Sequence, residues 1–122
     1  MDGRFRDFLA ELFEPLGGVS FRRMFGGLGI FRDGLMFGLV ADDVLYLKTD
    51  DTTRSGFEAE GSGPFKDGPR STSYWRAPER LFDEPDEFRD WAMTAFAVAE
   101  RKKEKAEREV RPRKKARAKP ST

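Results

Sequence analysis

The sequence predicts an α+β domain in which an antiparallel sheet of about five strands, arranged as a meander, is flanked by three helices. Apolar residues recur at helical spacing near the start of the chain and again in its last third. Between these regions, short apolar runs are separated by turn residues, as in hairpins. The helices are an N-terminal one, a short one in the middle and a long C-terminal one. The 122 residues fit one domain with a core of modest size.

The first helix is predicted from apolar residues at spacings of three and four, which share one face. Asp2 is a plausible cap for its start. Pro15 disfavours helical geometry at the residue before it, so the helix should end near Glu14. The residues of its buried face are Phe5, Phe8, Leu9, Leu12 and Phe13.

Four strands are predicted next, joined by short turns. The first begins at Val19, and the next two, residues 28–31 and 35–40, are joined through Asp33-Gly34, a strong hairpin signal. Asp42 and Asp43 turn the chain into a fourth strand over residues 44–48. Three short turns in succession imply antiparallel neighbours.

The second half of the chain is predicted to contain a short helix, a loop, a strand and a long helix. Residues 50–53 offer caps for a helix ending at Gly61, residues 61–70 form a loop, and residues 71–77 form the fifth strand. Pro85 suits the first position of the last helix, and Pro112 is expected to end it. Its buried stripe is Phe88, Trp91, Ala92, Ala95, Phe96 and Ala99.

Charge divides the chain into an acidic domain, residues 1–100, and a basic tail, residues 101–122. The domain holds 12 Lys and Arg against 19 Asp and Glu, whereas the tail holds 11 against 3. We expect the tail to extend the last helix and then to be disordered from residue 113, where no apolar group larger than alanine remains. Its positive charges could bind nucleic acid without sequence specificity. They are Arg101, Lys102, Lys103, Lys105, Arg108, Arg111, Arg113, Lys114, Lys115, Arg117 and Lys119.

Composition argues against most enzymatic chemistry. The chain has neither cysteine nor histidine, which removes thiol nucleophiles, histidine bases and most zinc sites. The acidic pairs 42–43 and 50–51 lack calcium-loop spacing and suit turns and caps. We predict no catalytic residues, cofactor or metal. The absence of a long apolar run predicts a cytoplasmic protein without a membrane role.

A glycine-rich stretch follows the first strand and is the least generic part of the chain. Its spacing fits neither a dinucleotide fingerprint nor a P-loop, and it joins strand to strand. The favoured interpretation is structural: glycine permits a tight turn and close packing of backbone. The residues of this motif are Met24, Phe25, Gly26, Gly27 and Gly29.

Several separated motifs carry a resemblance to a known family. RRMFGGLGIF at 22–31, DGLMFGL at 33–39, LYLK at 45–48 and SYWRAP at 73–78 occur in this order, followed by a helix start at 85–91. Over about residues 4 to 100, the chain resembles the TfoX/Sxy N-terminal domain. The resemblance implies an antiparallel sheet flanked by helices. No catalytic residues are established for this family.

The resemblance also implies a regulatory role. Full-length competence regulators of the family carry a second, helical domain and act as transcriptional co-activators with the cyclic-AMP receptor protein; here a basic tail stands in that place. We therefore expect a module that binds a protein partner, either a transcription factor or RNA polymerase. Arg22, Arg23 and Arg32 are candidate contacts to an acidic partner or a phosphate. One alternative is a tail-driven nucleic-acid or nucleoid-associated protein; a small enzyme would need a cofactor to supply its chemistry.

Overall fold

Six antiparallel strands form a single sheet, as a computed structural model of the chain shows. The structure describes residues 3–24 and 26–118, the last nine of these as backbone only. The strands are β1 (Val19–Met24), β2 (Gly27–Arg32), β3 (Leu35–Ala41), β4 (Val44–Lys48), β5 (Pro64–Asp67) and β6 (Arg70–Arg76). Their order across the sheet is β1-β2-β3-β4-β6-β5. The predicted α+β class is confirmed, and the first four strands are a meander.

The sheet has one strand more than expected, because residues 61–70 are not the predicted loop. β5 lies within them and pairs with β6 at the edge of the sheet. An edge strand needs partners on one side only, and a proline is tolerated at its first residue, here Pro64. Gly68, with φ 63°, lies in the two-residue connection to β6. The density of glycine and proline therefore marked a short hairpin.

Three α-helices accompany the sheet, namely α1 (Arg4–Phe13), α2 (Arg54–Ala59) and α3 (Pro85–Ala118). The predicted end of the first helix and start of the last are confirmed. The N-cap of α1 is Gly3, with φ 87° and no side-chain cap; Asp2 lies outside the described residues. Single 3₁₀ turns at Glu14–Leu16 and Glu79–Asp83 were not predicted. Among the described residues, no helix has the length and apolar composition needed to cross a membrane.

α3 continues beyond its expected end. It passes Pro112 and runs to Ala118, so the prediction that Pro112 ends the helix is wrong, as is disorder from residue 113 as far as Ala118. A proline removes one backbone hydrogen bond, but Lys, Arg and Ala, which surround Pro112, are among the strongest helix formers. The last four residues of the predicted disorder, 119–122, lie outside the described residues.

The predicted turns at 33–34 and 42–43 are confirmed by backbone angles. Asp33 and Gly34 have φ of 51° and 77°, and Asp42 and Asp43 have φ of 50° and 59°. Two successive left-handed residues match the twist of a two-residue hairpin, and aspartate tolerates this conformation better than most residues. The acidic pair at 42–43 thus has the turn role that the sequence predicted.

The core lies between one face of the sheet and the helices. Phe13 of α1 is fully buried, and its ring centroid lies 5.8 Å from that of Phe37 and 5.0 Å from that of Phe88. Phe96 of α3 packs edge-on against Phe37 at 5.6 Å. α2 joins the same layer through Phe57, which is buried. The contacts of all three helices therefore lie on one side of the sheet.

Candidate interaction surface

The second face of the sheet carries its own row of side chains. Residues directly opposite one another in adjacent strands project to the same face. Arg22 pairs with Gly29, Gly29 with Leu39, Leu39 with Tyr46, and Tyr46 with Arg76. This row crosses five strands and alternates with the residues that face the core. It therefore defines the middle of a face on the side away from the helices.

Apolar side chains converge on this face around Gly29. A Cβ at Gly29 would overlap the sulfur of Met24 and the ring of Phe31, with the end of Met36 close by. All three of these side chains are half-buried, although they lie on the side of the sheet away from the helices. The missing side chain of Gly29 thus lets two methionines and an aromatic ring pack over the backbone of β2.

Arg22 adds a positive charge to the apolar side chains. Its guanidinium lies over the ring of Phe31, 4.8 Å from the centroid, in a cation–π arrangement. Among the described side chains, Arg22 forms no ion pair with a carboxylate. The residue is exposed. Its charge and hydrogen-bond donors therefore stay available to a molecule that covers the face.

The other end of this face is aromatic. The rings of Tyr46 and Phe65 lie 5.1 Å apart, and Arg76 forms an ion pair with Glu79 at 2.8 Å. Tyr46 and Phe65 are half-buried. We call the whole surface the open face. It consists of Arg22, Met24, Gly29, Phe31, Met36, Leu39, Tyr46, Phe65 and Arg76.

The structure does not bring the three candidate arginines together. Only Arg22 lies on the open face. Arg32 lies on the helix side, where it donates to the carbonyl oxygens of Gly17 at 2.9 Å and Leu16 at 3.2 Å. Its guanidinium also covers the ring of Phe96 at 4.7 Å. Arg23 pairs with Leu28 and shares the helix side, where it is exposed.

Arg32 therefore has a structural task, because it holds the connection between α1 and β1 against α3. The apolar members of the open face were not among the residues predicted from the sequence. A signal was present in β3, whose sequence LMFGLVA is apolar at successive positions and so supplies both faces of the sheet.

The glycines of the motif allow a tight turn and close packing within the sheet. Gly26 lies in the turn between β1 and β2 with a backbone φ of 80°, which residues with a side chain rarely adopt. A Cβ at Gly27 would overlap the carbonyl oxygen of Val40, so β2 and β3 approach closely only because Gly27 lacks a side chain. Gly29 admits Met24 on the open face. Phe25 lies outside the described residues.

The basic residues of the tail differ in their contacts with the domain. Arg101 donates to Asp50 at 2.8 Å, and Lys102 is a close neighbour of Lys48. The other basic residues of the tail with described side chains are exposed on α3: Lys103, Lys105 and Arg108. For another group the structure gives helical backbone and no side chains, namely Arg111, Arg113, Lys114, Lys115 and Arg117. Lys119 lies outside the described residues.

Arg80 is the centre of an exposed ion-pair cluster. Its guanidinium contacts Glu84 and Glu87 at 2.7 Å and Glu60 at 2.8 Å, joining the end of α2 to the start of α3. The hydrogen bonds that Arg80 donates to Glu87, Glu60 and Glu84 raise the pKa of Arg80. The hydrogen bond from Arg80 lowers the pKa of Glu87, which also accepts from the indole of Trp91 at 3.3 Å. All three carboxylates pair with Arg80, so we interpret the cluster as a contact that links α2 to α3.

A shallow groove between α2 and α3 is lined by few ionisable side chains. Its volume is about 400 Å³, and Phe57 and Trp91 are among the residues that line it. Asp90 is the one ionisable side chain of this lining, so the groove lacks the pair of groups that acid–base catalysis uses. The described residues contain no group of three or more His, Cys, Asp or Glu side chains that could hold a metal ion.

Comparison with known proteins points to one family. The family model for the TfoX N-terminal domain matches residues 11–99. The DNA transformation protein TfoX1 of Aliivibrio fischeri (strain ATCC 700601 / ES114) is 35% identical over 72 residues. The match covers 59% of this chain and 32% of the relative, so the chain spans about a third of that protein's length. Residues 11–99, which the family model matches, include the whole sheet and the part of α3 that packs on it.

Proposed function

The chain belongs to the TfoX N-terminal domain family, and we propose that it is a non-enzymatic regulatory module of the cytoplasm that binds a protein partner through the open face. The proposed partner is a component of the transcription machinery, either a transcription factor or RNA polymerase. Family membership supports the regulatory part of this proposal, and the name of the relative associates that protein with DNA transformation.

The observation that carries the proposal is the setting of Arg22. Its charge lies over Phe31, beside Met24 and Met36, without a described carboxylate partner. Methionine and aromatic side chains are enriched at protein interfaces, and arginine often supplies their central contacts. A partner that matches this face presents apolar side chains next to a carboxylate. The carboxylate would pair with Arg22 and the apolar groups would cover Met24, Phe31 and Met36.

The size of the open face favours a transient partner over a second copy of the chain. Six strands at about 4.8 Å spacing and about five residues of each at 3.3 Å give an area on the order of 500 Å². A stable interface buries about 800 Å² on each side. Two copies placed face to face would also bring arginines toward arginines, which opposes pairing. A regulatory contact of moderate affinity fits these dimensions.

A second candidate function is non-specific binding of nucleic acid, and the length of α3 favours it. From Glu100 to Ala118 the helix extends about 27 Å at 1.5 Å per residue. Residues 111–118 of this extension hold five Lys or Arg and no acidic residue. A helical rod of this composition could follow a phosphate backbone and neutralise several phosphates. We propose that it adds salt-sensitive DNA affinity to the regulatory module.

The experiment compares capture of transcription components by the full-length chain and two charge-reversal variants after nuclease treatment of the extract. Arg22→Glu should lose a specific polymerase subunit or transcription factor that the wild type retains, because it repels the partner's carboxylate. Arg89→Glu is the matched control, since Arg89 is exposed on α3 away from the open face. Equal capture by wild type and Arg22→Glu, or capture that disappears with nuclease treatment, would refute the open face as the partner site.

A further inference from the structure

Lys48 is a buried cation at the end of β4. It is 7% exposed, although lysine is among the residues least often buried. Its ammonium donates to the hydroxyl oxygen of Ser73 at 3.3 Å and lies 4.7 Å from the centre of the Tyr74 ring. These contacts use one of its three protons for a hydrogen bond and add a cation–π contact. Buried charges are normally paired with an opposite charge.

Among the described residues, Lys48 has no such pair. The carboxylate closest in sequence is that of Asp50, which accepts from Arg101 at 2.8 Å and from the backbone N–H groups of Thr52 and Thr53 at 3.0 Å each. Burial alone would raise the pKa of Asp50, but the hydrogen bonds from Arg101, Thr52 and Thr53 hold it well below its usual range. Asp50 is thus fully engaged away from Lys48.

A second lysine increases the positive charge at this place. Lys102 follows Arg101 on α3, and its ammonium lies close enough to Lys48 to repel it. Burial and this neighbour lower the pKa of Lys48 to about 8. Because this pKa is above 7, most Lys48 side chains remain protonated at pH 7. Two ammonium groups and a hydroxyl therefore face one region without a described counter-charge.

We propose that Lys48, Lys102 and Ser73 form a binding site for a phosphate group. A phosphate oxygen accepts charge-assisted hydrogen bonds from both ammonium groups, relieves their repulsion and accepts from the Ser73 hydroxyl. The buried stem of Lys48 fixes one donor, whereas Lys102 is exposed and can close over the ligand. The site lies where α3 leaves the domain, at the base of the basic extension. Its ligand is a phosphate of nucleic acid or of a small phosphorylated compound, and it does not depend on a partner at the open face.

The first test is a titration of the full-length protein with inorganic phosphate at constant ionic strength. The NMR chemical shifts of the Ser73 and Thr49 amides report binding. Wild type should show a saturable shift. Lys102→Gln should weaken the affinity about tenfold or more, because it removes one charge-assisted hydrogen bond. Lys48→Met should do the same. Lys66→Gln is the matched control. Lys66 is exposed on β5, and its replacement removes one positive charge at a different place on the surface.

Lys102→Gln keeps the test decisive if Lys48→Met fails to fold, because Lys102 is exposed. A linear, unsaturable response of the wild type, or equal weakening by Lys102→Gln and Lys66→Gln, would overturn the proposal. A second arm with a short DNA duplex identifies the source of the phosphate. A loss of DNA affinity in Lys102→Gln beyond that in Lys66→Gln assigns the site to nucleic acid. Unchanged DNA affinity together with lost phosphate binding assigns it to a small phosphorylated compound.

Discussion

Arg101 donates a hydrogen bond at 2.8 Å to the carboxylate of Asp50, a residue 51 positions earlier in the chain. The same carboxylate accepts from the backbone N–H groups of Thr52 and Thr53, which lead into α2. The Asp50 side chain thus orders the loop after β4 and binds α3 just after the last residue of its buried stripe. The contact therefore ties the start of the basic extension to the loop that precedes α2.

Removal of Asp50 should destabilise the fold more than removal of Arg101. Asp50→Ala loses the loop hydrogen bonds as well as the ion pair and should lower the free energy of unfolding by about 2 kcal/mol. Arg101→Gln loses a partly exposed pair and should cost about 0.5 to 1 kcal/mol. Urea denaturation at pH 7 measures both. Lys103→Gln, an exposed neighbour, should stay within about 0.5 kcal/mol of wild type; a reversed order of Asp50→Ala and Arg101→Gln would contradict this account.

Two glycine substitutions should have opposite effects on stability. Gly27→Ala places a methyl group against the carbonyl oxygen of Val40, and separating β2 from β3 should cost about 2 kcal/mol or more. Gly56→Ala has open space around the new methyl group and lies in α2, so it should stabilise the protein by about 0.5 to 1 kcal/mol. Thermal and urea denaturation check both. Equal effects of the two substitutions would show that close approach of backbone at Gly27 is not the cause.

Lys48 should give the stability of the protein a distinct dependence on pH. Because the pKa of Lys48 is lowered from 10.5 to about 8, the folded state releases its proton between these values while the unfolded state still holds it. The unfolded state then binds more protons, so stability should rise with pH across this interval, by about 1 to 3 kcal/mol. Urea denaturation at several pH values from 7 to 10 measures the rise. It should be absent in Lys48→Met and retained in Lys66→Met, and a rise of equal size in both variants would exclude Lys48 as its source.

Non-specific DNA affinity should depend on the distal part of the basic extension. Replacing Arg113, Lys114 and Lys115 by glutamine should reduce the slope of log affinity against log salt by about 2 to 3, since each phosphate contact contributes about 0.9. Fluorescence anisotropy with a labelled duplex at several salt concentrations gives the slope. Lys66→Gln should leave it unchanged. A slope that does not change in the triple variant would remove the extension from the DNA interface.

Most elements of the fold were predictable because their signals are local. The hairpin at Asp33-Gly34 and the start of α3 at Pro85 follow from the backbone preferences of those residues. β5 was not predictable in the same way, since Gly, Pro and Asp dominate its surroundings and its pairing with β6 supplies the strand geometry. The end of α3 was not predicted, because a proline usually ends a helix, whereas here strong helix formers on either side of Pro112 continue it.

The candidate site was predictable in part. Arg22, a candidate contact from the sequence, lies on the open face, whereas Arg32, which is close to it in the chain, does not. Ten positions separate them, and the hairpin places them on opposite faces of the sheet, because neighbouring strand positions alternate in direction. Lys48 was not identified as a functional candidate at all. Nothing in its local sequence shows that the chain brings Lys102 beside it.

The α+β class, the meander, the family and the difference in charge between residues 1–100 and 101–122 follow from the sequence alone. These depend on periodicity, turn residues and composition, which are properties of contiguous segments. Which charges have partners is visible only in the folded chain: Arg32 is used by the fold, Arg101 is paired with Asp50, and Arg22 and Lys48 have no described counter-charge. Pairing depends on distances between residues that are far apart in the chain, and these distances are set when α3 packs on the sheet.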